Sequence, residues 1–348
     1  ARSGSSGRTG ARPSGRRPPS GRNSGVPESV ARVRPLSVGP RYGRIVDRSA
    51  VLAVDIGGTK MIAAVVDATG ALHGEARTPT PRSDDPEVLF GAVAEVADGA
   101  VAHWAGRGPL VATGVGCGGP MAAGGVTVTP LNIPGWKQFP LRARLAERYG
   151  LPAFVDNDAK ALTRAEGWLG AAVGRRDYLA MVVSTGVGAG LVVDGRLLDG
   201  ASGNAGHLGH VIVEPEGRRC GCGGQGCLEA EASGTAIAAV TGRPAAEAGE
   251  DVRRRTGRLV GRAVASAVAL LDIRLAVVGG SVALGYGPTF FDAANEELVA
   301  RCAIEFGRGA CIVPAGLGAN GPIIGAAAVG FEGAGVALDG LLRGGDRA

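Results

Sequence analysis

Three observations predict an α/β fold of two lobes with a metal-bearing loop. Short apolar strands alternate with stretches of helical spacing from about residue 49 onward. A strand–turn–strand opening occurs twice, around DIGGTK at 55–60 and around STGVG at 184–188, an internal duplication in outline. After the second opening comes CGCGGQGC, a loop of glycines that carries three of the six cysteines. Few aromatics and abundant Gly, Ala and Val suit closely packed layers.

The 348 residues suffice for two domains and a tail. Residues 1–45, rich in Gly, Ser, Pro and Arg and without hydrophobic periodicity, are expected to be a disordered basic extension. The lobes are expected at 46–170 and 171–348, with the metal loop at 210–227. Residues 1–48 hold eleven arginines against Glu28 and Asp47, so the other 300 residues carry a net −4 although the whole chain is +5. The basic balance therefore says nothing about nucleic-acid binding by the domain itself, and no nucleic-acid partner is expected. No run of about 18 apolar residues and no signal-peptide core is found, so no membrane partner is expected either. Clustered cysteines beside a histidine point to metal in a reducing cytoplasm rather than to disulfides.

In order, strands are expected over 51–55 and 61–67 about a tight Gly57-Gly58 turn, with a second hairpin through Gly70. Valine and leucine spacing predicts a helix over 86–104 with Pro86 in its first turn. A strand over 110–115, a helix over 140–149 closed by Gly150, a strand over 153–156 and a helix over 158–172 follow. The second half is expected to form strands over 178–184 and 189–193, with Asp194-Gly195 as a hairpin turn. Helices over 231–240 and 251–271, a strand over 275–278, a helix over 288–303, a strand over 310–313 and a helix from 321 to about 331 complete it.

The most informative stretch is 204–229, NAGHLGHVIVEPEGRRCGCGGQGCLE. His210 with Cys220, Cys222 and Cys227 makes a Cys3His set, the usual closed ligand shell of structural zinc. The alternative is a flexible loop of reduced thiols, although the loop has no large apolar residue to anchor it. With zinc present, the clip would position the residues on its flanks, His207 and Glu229.

Asp55-Ile56-Gly57-Gly58-Thr59-Lys60 stands at a strand end with little side-chain bulk. The amides of Gly57, Gly58 and Thr59 could form an anion-binding nest for phosphate, and Asp55 could hold the water shell of Mg2+. An ordinary Gly-Gly hairpin is the plainer alternative. GVGCGG at 114–119 and GVGAG at 186–190 fail as dinucleotide fingerprints, since neither opens a helix, and no Walker A sequence occurs. Asp158 follows a strand and opens a helix, so it is either a cap or a general base placed at the strand's C-terminal end.

DIGGTK, VDNDAKA, STGVGAG, GNAGHLGH, CGCGGQGCLEA and VVGGS, in this order, resemble the ROK family of bacterial sugar kinases and repressors. The resemblance covers residues 51 to about 331 and implies an actin/hexokinase-like (ribonuclease H-like) fold. It implies an ATP-dependent kinase acting on the 6-hydroxyl of a hexose-type sugar, with ATP, Mg2+ and structural Zn2+ as cofactors. Asp158 corresponds to the catalytic base, and Asn132, Asn157, His210 and Glu229 to sugar ligands, His210 serving the zinc as well. Asp55, Gly57, Gly58, Thr59, Lys60, Thr185, Gly186, Gly188 and Gly280 correspond to the ATP and Mg2+ side. The family's glucokinases have Glu in place of His207, so the chain looks more like the N-acetylmannosamine kinases, with glucokinase the alternative. The family's repressors carry an N-terminal helix-turn-helix, for which residues 1–48 show no amphipathic pair. A homo-oligomer, a dimer by resemblance, is expected. Lys160 is left without an explanation.

Overall fold

Seven successive residues from Ala50 to Ile56, AVLAVDI, are all buried, as a strand covered on both faces requires. The computed structural model describes residues 49–338, and the basic stretch 1–45 lies outside the described residues. This first strand, β1 (Ala50–Ile56), pairs antiparallel with β2 (Lys60–Asp67), which pairs antiparallel with β3 (Leu72–Pro79). Helix α1 (Pro86–Trp104) follows, started by Asp85, whose side chain accepts the Glu87 amide at 2.8 Å, and by Pro86 in its first turn. Then come β4 (Leu110–Cys117), α2 (Leu141–Tyr149), β5 (Ala153–Asn157) and α3 (Asp158–Trp168). Gly150 in the left-handed region, φ 63°, closes α2 as its sequence predicts. β4 lies parallel to β1 and β5 parallel to β4, so the first sheet runs β3-β2-β1-β4-β5.

The second half repeats this design. Its strands are β6 (Tyr178–Val183), β7 (Val187–Val193) and β8 (Arg196–Leu197). Helices α4 (Leu228–Ala232), α5 (Gly234–Thr241) and α6 (Glu250–Leu271) lead to β9 (Leu275–Gly279). α7 (Ser281–Tyr286), α8 (Pro288–Arg301), β10 (Cys311–Pro314) and α9 (Gly321–Gly333) finish the described chain. The sheet order is β10-β9-β6-β7-β8, with β6, β7 and β8 antiparallel and β9 and β10 parallel. Strand for strand this is the order of the first sheet, so the duplication outlined by DIGGTK and STGVG is a duplication of topology.

Two helices cross between the halves. α3 follows β5 of the first sheet yet packs on β6 and β7, and α9 follows β10 of the second yet packs on β1, β4 and β5. They also pack against each other, so a boundary at 170/171 cuts through this central layer. Close approach decides which helix lies where. A Cβ on Gly114 of β4 would fall 2.1 Å from the Ala326 carbonyl oxygen of α9, and one on Gly190 of β7 would fall 2.3 Å from Thr163 Oγ1 of α3. The outer layers use larger side chains, among them the stacked pair Trp136–Phe139 at 4.7 Å, an arrangement worth about 0.5–1.5 kcal/mol beyond its buried area.

Several boundaries differ from expectation for local reasons. α3 stops at Trp168, not Ala172, because the Glu166 carboxylate takes the Ala171 amide at 2.8 Å and turns the chain. The helix expected over 231–240 is two helices, because Ser233 is extended (ψ 156°) and its side chain accepts the Ala236 amide at 3.1 Å to begin α5. β7 begins at Val187, two residues early, and α7 was not expected from the sequence. No helix among the described residues is long and apolar enough to cross a membrane.

Candidate active site

The two strand–turn–strand openings face one cleft of about 710 Å³. Every residue expected on the sugar or nucleotide side lines it: Asp55, Gly57, Gly58, Thr59, Lys60, Asn132, Asn157, Asp158, Thr185, Gly186, Gly188, His207, His210, Glu229 and Gly280. They come from distant parts of the chain.

Asp158 opens α3, and the capping question resolves locally. Asn157 has extended backbone and its Oδ1 accepts the Ala159 amide at 3.0 Å, so Asn157 is the cap. Asp158 Oδ1 accepts the same amide at 2.8 Å while the carboxylate lines the cleft. Burial pushes the Asp158 pKa up, with Glu229 adding to it, against the Ala159 amide and His207, which favour the charged form. Asp55, only 7% exposed at the end of β1, is pushed up to about 7 by burial and then by Asp158, against Lys60. Two carboxylates thus share a poorly hydrated space, which suits a site that receives a cation.

The turn expected to bind phosphate offers fewer free amides than the sequence suggested. The Gly57 amide donates to the Lys60 carbonyl at 3.0 Å and closes the hairpin, so it is not available to a nest. Gly58, Thr59 and Lys60 form the exposed tip. A Cβ on Gly58 would fall 2.5 Å from Asn132 Cβ, so this turn and the Asn132 loop touch at the glycine. On the opposite wall the Val187 amide donates to Glu229 Oε2 at 2.9 Å, and Gly188 lies within β7 facing Val182. Thr185 and Gly186 therefore supply the turn facing the cleft. A Cβ on Gly186 would fall 2.8 Å from Glu229 Oε2, so this glycine admits Glu229 to the site.

His207 Nδ1 lies 2.9 Å from the Asn204 carbonyl, a contact that makes Nδ1 the donor and leaves Nε2 as an acceptor in the neutral ring. His207 Nε2 and Asn157 Nδ2 converge on Gly119, lying 3.8 and 3.5 Å from the point its Cβ would occupy. The His210 ring is near-parallel to that of His207, with centroids 6.1 Å apart.

The side-chain donors of His210, Cys220, Cys222 and Cys227 lie within 4.8 Å of one another. Cys220 Sγ is 3.7 Å from His210 Nδ1, and Cys222 Sγ is 3.7 Å from Cys227 Sγ. With Zn–S at about 2.3 Å, the edge of a tetrahedron is about 3.8 Å, so the spacing fits zinc. Burial, with the neighbouring Cys222 and Cys220, pushes Cys227 up to about 12, and a cation bound here would favour its thiolate. A Cβ on Gly224 would fall 3.2 Å from Cys227 Sγ and 3.4 Å from Cys222 Sγ, which explains a glycine there. The loop is held from outside by Glu231, 2% exposed, which accepts the Arg218 amide at 2.6 Å and pairs with Arg255 at 2.7 Å.

Sequence reasoning missed the segment from the end of β10 into the first turn of α9, where Ala315, Gly318, Ala319 and Pro322 line the cleft. Its signal was GLGANGP after a strand, the second-half counterpart of the β5–α3 junction that carries Asp158. The Glu166 carboxylate holds it, accepting the Gly316 amide at 3.0 Å and the Leu317 amide at 3.2 Å.

Twin sheets of this topology, joined by two exchanged helices, with such a cleft and a Cys3His loop, define a class. The ROK family model matches residues 51–331, and the chain belongs to the ROK family. It is 38% identical over 251 residues to the N-acetylmannosamine kinase of Escherichia fergusonii, covering 68% of this chain and 84% of that one. Among solved structures it resembles the ROK family glucokinase of Streptomyces griseus in complex with glucose and AMPPNP, with TM-score 0.71 and 30% identity over 81% of this chain and 99% of that one. It also resembles the ROK hexokinase of Thermus thermophilus, with TM-score 0.68 and 36% identity over 82% of this chain and 98% of that one.

Proposed function

We propose that this chain is an ATP-dependent kinase that phosphorylates the 6-hydroxyl of a hexose-type sugar, with N-acetylmannosamine as substrate. The observation that carries the reading is the convergence of Asp158, His207, His210 and Glu229 on the cleft that the Gly58–Thr59 turn also faces. In this reading Asp158 accepts the proton of the hydroxyl as its oxygen attacks the γ-phosphorus in line. Burial raises its pKa and so makes the carboxylate a stronger base, while the Ala159 amide opposes that rise by favouring the charged form. In this reading the amides of Gly58, Thr59, Thr185 and Gly186, in the two turns that line the cleft, offset the charge that grows on the transferred group.

Mg2+, when bound, would neutralise phosphate charge, and Asp55 is the residue suited to hold it through its water shell. Zinc would be held by His210, Cys220, Cys222 and Cys227 and would fix the His210 ring at the sugar. A cytoplasmic location belongs to the same reading, since the thiolates must stay reduced. Assembly as a homo-oligomer rests on the family resemblance.

Glucose is the second reading, favoured by the likeness to the Streptomyces griseus glucokinase. An ADP-release assay with N-acetylmannosamine, N-acetylglucosamine, glucose, mannose and fructose separates the two. The highest kcat/KM is expected for N-acetylmannosamine. A preference for glucose would replace the substrate assignment, and turnover of none of the five would overturn the kinase reading.

A further inference from the structure

Lys160 sits in the first turn of α3, two residues beyond Asp158, and is only 2% exposed. An ammonium has three donors and no acceptor, and burying it is costly unless those donors are met. Three acceptors surround Nζ: Asp199 Oδ1 at 2.5 Å, Asp156 Oδ1 at 3.2 Å and the Gly203 carbonyl at 3.4 Å. Asp156 belongs to β5, beneath the helix. Asp199 and Gly203 belong to the loop between β8 and His207.

That loop reaches the site through a continuous set of bonds. The Ala205 amide donates to the Asp199 carbonyl at 2.9 Å, and the Asn204 carbonyl lies 2.9 Å from His207 Nδ1. Beyond it, the Ala189 amide donates to the Gly206 carbonyl at 3.0 Å and pins the loop's far end to β7. The near end is tied to the protein interior through Lys160.

We propose that Lys160 is a positioning residue that locks the 199–206 loop onto the helix bearing Asp158, thereby orienting His207 and setting affinity for the sugar but not for the nucleotide. The proposal rests on the sugar-kinase reading above. Charge balance makes it testable without loss of the fold. When the ammonium is removed, Asp156 keeps Arg164 at 2.7 Å, and Asp199, whose side chain is 71% exposed, keeps water. Lys160→Met therefore strands no buried charge, and Asp199→Ala removes an exposed side chain while leaving the ammonium Asp156 and the Gly203 carbonyl.

The experiment compares the parent, Lys160→Met, Asp199→Ala and the double variant, using N-acetylmannosamine and MgATP in steady-state assays. Amide hydrogen exchange of residues 199–206 is measured without ligand. Either single change should raise the sugar KM on the order of ten-fold, the scale of loss when a binding group is slightly misplaced. The KM for ATP and kcat should stay within a few-fold of the parent, the double variant should add little, and the loop should exchange faster. An unchanged sugar KM, or an equal rise in both KM values, overturns the proposal. If the parent turns over no N-acetylmannosamine, the substrate reading fails by itself. Exchange then still decides the lock: faster loop exchange in Lys160→Met supports it and unchanged exchange overturns it.

Discussion

Asp55 at the end of β1 and Asp158 at the start of α3 face one cleft, and Asp158 contributes, after burial, to holding the Asp55 pKa at about 7. Neither carboxylate has an arginine or lysine salt bridge among the described residues. Under the proposed function the pair holds a cation and takes up a proton, and its burial costs the ligand-free fold some stability.

That cost has a definite pH window. The folded-state pKa of Asp55 lies above its ordinary value of 3.8, so the folded protein binds the proton more tightly, and stability falls as pH rises from about 4 to about 7. Asp55→Asn removes the titrating group. Its Tm advantage over the ligand-free parent should grow across that interval and level off above it, reaching a few degrees, since about 1 kcal/mol moves the Tm of a large domain by roughly 2–4 °C. The same variant should lose Mg2+-dependent turnover. Thermal melts at a series of pH values check this, and parallel pH profiles for the two proteins would count against it.

Asp158→Asn should leave the helix start intact, because Asn157 already accepts the Ala159 amide at 3.0 Å. Sugar and ATP should still bind while kcat falls by about 10²–10⁴, the usual range for loss of a general base. Turnover within a few-fold of the parent would make Asp158 a helix-start residue and nothing more.

Elemental analysis of purified protein should find about one zinc per chain, as a closed Cys3His site predicts. Cys222→Ser should lose the metal and most of the sugar affinity, because under the proposed function zinc would fix the His210 ring that lines the cleft. Full activity in metal-free protein would rule out this role.

His207→Glu tests the substrate. A carboxylate is a stronger acceptor for sugar hydroxyls than a neutral imidazole, so the ratio of kcat/KM values should shift toward glucose by about 1–3 kcal/mol. The parent should prefer N-acetylmannosamine. A parent that already prefers glucose, with no shift on substitution, would place the choice of sugar elsewhere in the cleft.

Much of the fold could be read from local chemistry, because its signals act over a few residues. Buried strands such as AVLAVDI, the proline and aspartate that start α1 and the glycine that ends α2 each act within one turn or one strand. The Cys3His set was legible for the same reason, since three of its ligands fall within eight residues. The pairing of Asp194-Gly195 as a turn and the doubled strand–turn–strand opening were equally plain, so the repeat could be seen where residue identity between the halves could not show it.

Only the tertiary structure decided where α3 and α9 go. Nothing local in their sequences says which sheet each will cover, and the choice rests on contacts such as Gly114 to Ala326 and Gly190 to Thr163, between residues far apart in the chain. The same holds within the site. A sequence cannot say that the Gly57 amide is taken by Lys60, that Gly186 makes room for Glu229, or that Glu166 holds the segment after β10. Lys160 shows the reason most directly. As a letter in VDNDAKA it is a charged residue on a helix, and its meaning comes from Asp199, which only folding brings to its ammonium group.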